Sequence, residues 1–191
     1  RELFLVRHPA LRFLPKQIVT QFKQWKKSYE SGHLHKETGT WAYIPWRSVI
    51  VHVLNKNDYY ELLTSRNRNL ITASEQEKLR ACKIGIAGLS VGNSIATLLA
   101  LEGAEYLRLA DFDTLSLSNL NRIRGSIAYL GMSKADITAH QIYEINPYAK
   151  LVVTKKRINT LALMQKFFLH PWKLDVVVDE IEDLDVGVLL L

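Results

Sequence analysis

From Thr72 onward, short apolar runs alternate with amphipathic segments, and this alternation limits the possible folds more than any other feature of the chain. KIGIA, YLRLAD, KLVVTKKRI and LDVVVDE have the length and composition of strands, and SIATLLALEG, ADITAHQIYEI and NTLALMQKFFL have the pattern of helices. Strands that alternate with helices pair in parallel, because each helix carries the chain back across one face of the sheet. The sequence therefore predicts an α/β fold with a doubly wound, mostly parallel sheet.

Residues 1–64 have a different pattern and are predicted to form a helical and mixed extension. Pro15 can start a helix that Gly32 can end, and RSVIVHVL is typical of a strand. Asn57 is predicted to cap a helix through DYYELL, whereas Trp41 to Trp46 are predicted to be irregular. Residues 65–191 are then the main domain. Because a doubly wound sheet normally continues past DVGVLLL, we expect its C-terminal part to be missing here.

Composition excludes several classes of protein. The 191 residues hold 48% hydrophobic and 23% charged residues, which is typical of a globular protein, and no stretch approaches the roughly 20 apolar residues of a membrane helix. The single cysteine, Cys82, excludes an internal disulfide and a Cys-pair zinc site, and we expect a buried structural role for it. A cytoplasmic location is the expectation.

Positive charge is concentrated in the N-terminal part of the chain. Residues 1–83 hold fifteen Lys and Arg against seven Asp and Glu, whereas residues 84–191 hold ten against twelve. Nucleic acid or an acidic protein partner could explain this charge. A solvated helix face is the preferred interpretation, because the lysines of QFKQWKK alternate with the apolar Phe22 and Trp25.

A glycine-containing turn joins the first strand of the main domain to the next helix. Gly88 and Gly92 flank it in Gly-Leu-Ser-Val-Gly, and Asp111 ends the next strand. Glycines allow a phosphate to approach the backbone, the helix N-terminus favours negative charge, and an acid after the second strand can bind a ribose hydroxyl. The pattern predicts a Rossmann-like nucleotide site.

Two other functions share parts of this pattern. Gly88-Leu-Ser90-Val-Gly92 also matches the G-x-S-x-G turn of serine hydrolases, which requires a later acid and histidine and normally lies deeper in the fold. A nicotinamide dehydrogenase shares both the turn and the acid. Neither feature separates a nicotinamide site from an ATP site.

A longer set of motifs does separate them. Asp-Phe-Asp at 111–113 leads into Ser-Asn-Leu-Asn-Arg at 118–122, and GMSK at 131–134 and INP at 145–147 follow. This set resembles the signature of the ThiF/MoeB adenylyltransferase family, which includes the adenylation domains of ubiquitin-activating enzymes, over roughly residues 65–185. RNR at 66–68 and Glu75-Gln76 resemble the family's entry segment. The whole chain is also similar to a bacterial branch in which a ThiF domain can be fused to a nitroreductase-like domain.

The resemblance implies roles for individual residues in an ATP and Mg²⁺ site. Asp111 would bind the ribose, Asp113 would bind metal or orient its neighbours, and Arg68 would reach the ATP of a dimer partner. The remaining implied ATP contacts are the turn residues Gly88, Ser90 and Gly92 and the triphosphate-binding Asn119, Arg122 and Lys134. Taken singly, the plainer alternatives are surface charges for Arg122 and Lys134, a helix cap for Asn119 and a turn for Asp113.

The chain departs from the family pattern at two places. Ser90 and Val91 replace the middle glycines of a turn that is one residue shorter. Glu182 stands where the family has a magnesium-binding aspartate, and Asp183 is a competing candidate.

The activity implied is ATP-dependent adenylation of a carboxylate with release of pyrophosphate, by a homodimer. The acceptor would be a ubiquitin-like or sulfur-carrier-like protein, or a small acid. A non-catalytic ThiF-like scaffold and a nicotinamide- or flavin-linked oxidoreductase are the alternatives. No membrane partner is expected, and nucleic acid is not a favoured one.

Overall fold

The computed structural model describes residues 1–31 and 38–181. Contacts divide the chain into two compact units, Arg1–Leu70 and Ile71–Leu191. The domain boundary that the sequence predicts, between residues 64 and 65, stays a prediction. None of the helices in these described ranges is long and apolar enough to cross a membrane.

In its described residues, the first unit combines three α-helices with one antiparallel hairpin. Its elements are α1 (Glu2–Arg7), α2 (Pro15–Tyr29), β1 (Thr40–Ile44), β2 (Val49–Val53) and α3 (Lys56–Leu63). The apolar side of α2 is covered within the unit, because the rings of Phe22 and Trp25 each lie 5.5 Å from the buried ring of Phe4. This packing supports the interpretation of α2 as a helix with one solvated, basic face.

Two details of the first unit correct the sequence predictions. Of the stretch Trp41 to Trp46 that was expected to be irregular, residues 41–44 belong to β1, which pairs with β2 in the register Thr40↔Val53 to Ile44↔Val49. The cap of α3 is Asn55 rather than Asn57, because the Asn55 side chain accepts a hydrogen bond from the Asp58 amide at 3.1 Å. Gly32, the predicted end of α2, lies outside the described residues.

The second unit has the predicted alternation of helix and strand. Its elements are α4 (Ala73–Ala81), β3 (Lys83–Ala87), α5 (Gly92–Leu101), β4 (Tyr106–Ala110), α6 (Lys134–Ile145), β5 (Lys150–Thr154), α7 (Leu161–Leu169) and β6 (Val176–Asp179). The four strands pair in parallel in the order β5-β4-β3-β6. A capping box joins Thr72 and Glu75 at the start of α4.

Apolar side chains pack on both faces of this sheet. On one face, Ile86, Leu107 and Leu109 form a core with small residues of α5 and α6, such as Ala96 and Ala139. The other core joins Ala87 and Ala110 to Met164 and Phe167 of α7. A parallel sheet covered by helices on both faces is the doubly wound Rossmann-like fold, so the predicted fold class is confirmed.

Arg108 on β4 is a polar exception within this core. It is 1% exposed, and its guanidinium donates hydrogen bonds to the carbonyl oxygens of Phe167 and Trp172. Burial lowers the pKa of this guanidinium. The residue ties the end of α7 and the segment before β6 to the sheet.

Candidate functional site

A cavity of about 600 Å³ opens at the carboxyl ends of the four parallel strands. Each strand supplies residues to it: Gly88 follows β3, Asp111 follows β4, Arg157 lies beyond β5 and Asp179 ends β6. In open α/β sheets, ligands bind in the crevice at this edge, where neighbouring crossovers run to opposite faces. The cavity therefore lies where the fold predicts a ligand site.

The glycine turn forms one side of the cavity. Gly88 has a φ of +87°, and a Cβ atom at this position would collide with the carbonyl oxygen of Glu180. Gly92, the first residue of α5, is buried, and a Cβ there would lie 2.8 Å from Cγ2 of Ile86. Gly88 thus shapes the cavity directly, whereas Gly92 allows α5 to pack closely on the sheet.

Asp111 lines the cavity and also holds two backbone segments in place. Its Oδ2 accepts a hydrogen bond from the Leu89 amide at 2.7 Å, and its Oδ1 accepts one from the Asp113 amide at 2.7 Å. Each carboxylate oxygen has two lone pairs and can accept a second hydrogen bond. The carboxylate can therefore hold the glycine turn and still receive a hydroxyl group.

Lys134, the first residue of α6, forms a buried cationic centre beside the turn. Its side chain is 5% exposed, and Nζ lies 2.9 Å from Oδ2 of Asp113 and 3.3 Å from Oγ of Ser90. Asp113 is 49% exposed and lines the same cavity. A lysine ammonium has three donor hydrogens, so one remains for a ligand after both contacts are made.

The structure places Arg122 in the cavity lining, but it does not place Asn119 there. Arg122 is exposed, and its guanidinium donates to Oδ1 of Asn121 at 3.1 Å. Asn119 is buried, and its Oδ1 accepts hydrogen bonds from the amide and the hydroxyl of Ser116 at 3.0 and 2.9 Å. Asn119 thus takes part in the local capping that the sequence allowed as an alternative, and a triphosphate contact through its Nδ2 stays a prediction.

Arg68 belongs to the first unit and is held by weak surface contacts. Its guanidinium lies 3.1 Å from Oε1 of Glu61 and donates to the Val6 carbonyl oxygen at 3.3 Å, and its side chain is 52% exposed. Exposed ion pairs contribute only about 0–1 kcal/mol. The arginine can therefore exchange these partners for another anion at little cost.

A polar network adjoins Arg68 through Glu61. Arg7 contacts both Glu61 and Asp58, at 2.8 and 2.6 Å. Burial opposes the ionisation of Asp58, but hydrogen bonds from Tyr29, Arg7 and Asn55 outweigh it and lower the pKa of the carboxyl. Burial also raises the pKa of the Tyr29 phenol to about 12, and its hydrogen bond to Asp58 acts in the same direction.

Oxygen donors are present for a metal, but only part of the predicted set can be located. Asp113 lines the cavity together with the carboxylate-bearing residues Asp179 and Glu180. Glu182, the other predicted ligand, and its competitor Asp183 lie outside the described residues. Within residues 1–31 and 38–181, no group of three or more His, Cys, Asp and Glu side chains could hold a metal by itself.

Sequence reasoning missed the residues that line the cavity beyond β5. Lys156 and Arg157 follow this strand closely, and the guanidinium carbon of Arg157 lies 5.2 Å from the ring centroid of Phe112. One signal was available: the basic run KKR stands near the end of KLVVTKKRI, which was predicted to be a strand of the parallel sheet. Such a run must therefore lie at the same edge of the sheet as the glycine turn.

The geometry around Ser90 does not resemble that of a serine hydrolase. Its hydroxyl accepts a hydrogen bond from Lys134. The described residues that line the cavity include no histidine that could act as the general base. The G-x-S-x-G match is therefore explained by the glycine turn of a Rossmann-like domain.

Fold and site together define the class: a doubly wound α/β domain with a cavity between the glycine turn after β3 and Asp111, the acid that follows β4. Residues 64–191 match the ThiF family, and the chain belongs to this family. It is 42% identical over 158 residues to the uncharacterized protein MT1398 of Mycobacterium tuberculosis (strain CDC 1551 / Oshkosh), covering 82% of this chain and 22% of that protein. It is 29% identical over 116 residues to ubiquitin-like modifier-activating enzyme 5 of Aedes aegypti, covering 60% of this chain and 29% of that enzyme. The chain thus spans less than a third of either relative's length.

Solved structures show the same fold at lower sequence identity. The E. coli tRNA N6-threonylcarbamoyladenosine dehydratase TcdA superposes with a TM-score of 0.65 at 22% identity, covering 70% of this chain and 55% of that one. E. coli MccB superposes with a TM-score of 0.51 at 24% identity, covering 56% and 30%.

Proposed function

We propose that the protein binds ATP in this cavity and activates a carboxylate as its acyl-adenylate, releasing pyrophosphate. One observation carries the proposal: the buried ammonium of Lys134 lies beside the glycine turn with one donor left for a ligand. Membership of the ThiF family supports the nucleotide and the reaction class. Two family relatives point the same way, because the ubiquitin-like modifier-activating enzyme matches the chain and TcdA is known in complex with ATP and with AMP.

The residues suit adenylation because this reaction needs charge neutralisation more than a protein nucleophile. A carboxylate oxygen of the acceptor attacks the α-phosphorus, and the bond to the bridging oxygen of pyrophosphate breaks. Lys134 and Arg122 would stabilise the negative charge that shifts onto the phosphate oxygens. Asp111 would hold the ribose, which fixes the α-phosphate against the glycine turn for attack.

The carboxylates at the cavity fit a magnesium ion that is bound jointly with the nucleotide. Mg²⁺ commonly takes one or two protein carboxylates and completes its shell with phosphate oxygens and water. Asp113 would be one ligand, and Glu182 remains a proposed second. The metal would neutralise phosphate charge when bound.

The proposal that the protein functions as a homodimer depends on Arg68. Its weak contacts to Glu61 and Val6 would allow it to reach the triphosphate of a partner subunit. Sedimentation of the protein with and without Mg-ATP tests this, and a monomer in both conditions would contradict it. The acceptor would be a ubiquitin-like or sulfur-carrier-like protein, or a small acid.

ATP–pyrophosphate exchange with candidate acceptors tests the activity. Arg122→Ala and Lys134→Met should each lower exchange roughly a hundredfold, because removing one donor that stabilises transition-state charge costs about that factor. Lys150→Ala, which alters an exposed lysine at the far end of β5, is the matched control and should keep the wild-type rate. Near wild-type exchange in both site variants would favour a non-catalytic scaffold.

A binding titration separates the remaining alternative. Mg-ATP should raise the thermal midpoint of unfolding because it binds the folded state, whereas NADH should not. Stabilisation by NADH alone would favour an oxidoreductase.

A further inference from the structure

The order of the strands determines the order in which the cavity residues lie along the edge of the sheet. β4 lies between β3 and β5, and neighbouring strands are about 4.8 Å apart. The glycine turn follows β3 and Asp111 follows β4, whereas Lys156 and Arg157 lie beyond β5. This inference rests on the proposed function: with the phosphates at the turn and the ribose at Asp111, the base of the nucleotide points towards β5.

Arg157 and Phe112 form a preassembled pair at that end of the cavity. The guanidinium carbon lies over the ring, 5.2 Å from its centroid, and both residues line the cavity. Phe112 is 53% exposed, whereas Ile158 in the same lining is buried. A cation over an aromatic ring is attracted by the electron density of the ring face, which favours this position of the arginine.

We propose that Arg157, held by Phe112, forms a wall of the base subsite and that the nucleotide base stacks on its guanidinium. The guanidinium is planar, delocalised and weakly hydrated, so it can stack on a flat π system. Nucleic-acid bases stack on arginine planes in the same way. Lys156 cannot take this role, because its ammonium is compact and strongly hydrated.

The main competing role for Arg157 is a charge contact to phosphate. Two features disfavour it. Lys134 and Arg122 already supply cations to the cavity, and Lys134 lies within hydrogen-bond distance of Ser90 in the glycine turn. Arg157 lies beyond β5, two strands away from β3, which precedes that turn.

A pair of substitutions separates stacking from charge. Arg157→Ala removes both the plane and the charge, whereas Arg157→Lys keeps the charge and removes the plane. Binding of Mg-ATP and of inorganic tripolyphosphate, which has no base, is measured by calorimetry for each variant. Both variants should bind ATP roughly fivefold or more weakly, the lower end of the effect of losing one base-stacking side chain. Their affinity for tripolyphosphate should stay at the wild-type value.

Two further variants complete the design. Phe112→Leu keeps an apolar side chain and removes the ring that holds the guanidinium, so it should weaken ATP binding in the same direction. Lys150→Ala removes a cation at the opposite end of β5 and should leave both affinities unchanged. Thermal unfolding confirms that each variant is folded.

The outcomes distinguish this inference from the proposed function. Retention of ATP affinity in Arg157→Lys but not in Arg157→Ala would show a charge contact and overturn the stacking role. The ATP affinities of these two variants distinguish stacking from charge even if tripolyphosphate binds too weakly to measure. A parallel loss of tripolyphosphate affinity, or a change only in the acceptor concentration that exchange requires, would also overturn it. A wild-type protein that does not bind ATP would overturn the proposed function and this inference with it.

Discussion

Replacing either partner of the Lys134–Asp113 ion pair should have very different effects on stability. At the 2.9 Å separation of Nζ and Oδ2, Coulomb's law with an effective dielectric constant of about 20 gives a gross attraction of about 6 kcal/mol. Most of this is offset by the desolvation of the buried ammonium. The net effect of a substitution therefore depends on which charge is left behind.

Asp113→Ala leaves a 5% exposed ammonium with Ser90 as its remaining side-chain partner. We expect a loss of about 2–3 kcal/mol, somewhat below the range for a fully buried pair because Lys134 borders the cavity. Lys134→Met leaves a carboxylate that is 49% exposed and can be hydrated, so the loss should be at most about 1 kcal/mol.

Urea unfolding of the two single variants and of the double variant measures this asymmetry. The double variant should be more stable than Asp113→Ala alone, because the uncompensated buried charge is gone. The Asp113 amide donates to Asp111, and the Asp113 carbonyl oxygen accepts from the Lys134 amide. Neither hydrogen bond uses the Asp113 side chain, so Asp113→Ala does not remove them. A Lys134→Met variant that loses as much stability as Asp113→Ala would refute the reasoning.

Three further predictions concern the turn and the first unit. Gly88→Ala should lower the free energy of unfolding by more than about 1 kcal/mol and weaken ATP binding, because φ is +87° and a Cβ would collide with the Glu180 carbonyl oxygen. Urea unfolding measures the first effect and calorimetry the second. Ionised Asp58 stabilises the fold above its unfolded pKa of 3.8, so this contribution should be lost as pH falls below that value; acid unfolding of Asp58→Asn should lack that dependence. The Tyr29 pKa is raised from 10.0 to about 12, so its contribution should be present below pH 10 and lost as pH rises towards 12; alkaline titration of Tyr29→Phe should lack this loss.

The sequence predicted the second unit well because each of its elements carries a strong local signal. The strands are apolar because helices cover both faces of their sheet, and capping residues such as Thr72 mark where helices begin. The glycine turn and Asp111 were found for a similar reason. In a parallel sheet, chain position alone brings the residues that follow neighbouring strands to one edge.

The features that were missed depend on contacts between distant residues. β1 is largely exposed and contains no one-sided apolar pattern, so only its pairing with β2 defines it as a strand. Arg108 lies in a strand that was predicted to be apolar, and its carbonyl acceptors come from residues about sixty positions away. Nothing local could have shown that this arginine is buried.

The candidate site shows the same division. Asn119 was assigned a triphosphate contact from the family pattern, and this contact stays a prediction; the motif did not show that its Oδ1 accepts two hydrogen bonds from Ser116. The pair of Arg157 and Phe112 forms only when the segments after β4 and β5 fold together. The spacing of a motif does not show which of its side chains already contact other residues of the protein.

The double attachment of Asp111 has a consequence for how nucleotide binding would be driven. Because its carboxylate accepts hydrogen bonds from the Leu89 and Asp113 amides, we expect the protein's own contacts to hold the turn in place. The entropy of ordering the loop is therefore lost during folding, and association should be limited by desolvation and not by loop closure. Exchanging Asp111 for asparagine would put an amide donor against one of those N–H groups. The turn would then loosen even in the absence of nucleotide, and hydrogen exchange at the Leu89 amide would report that change.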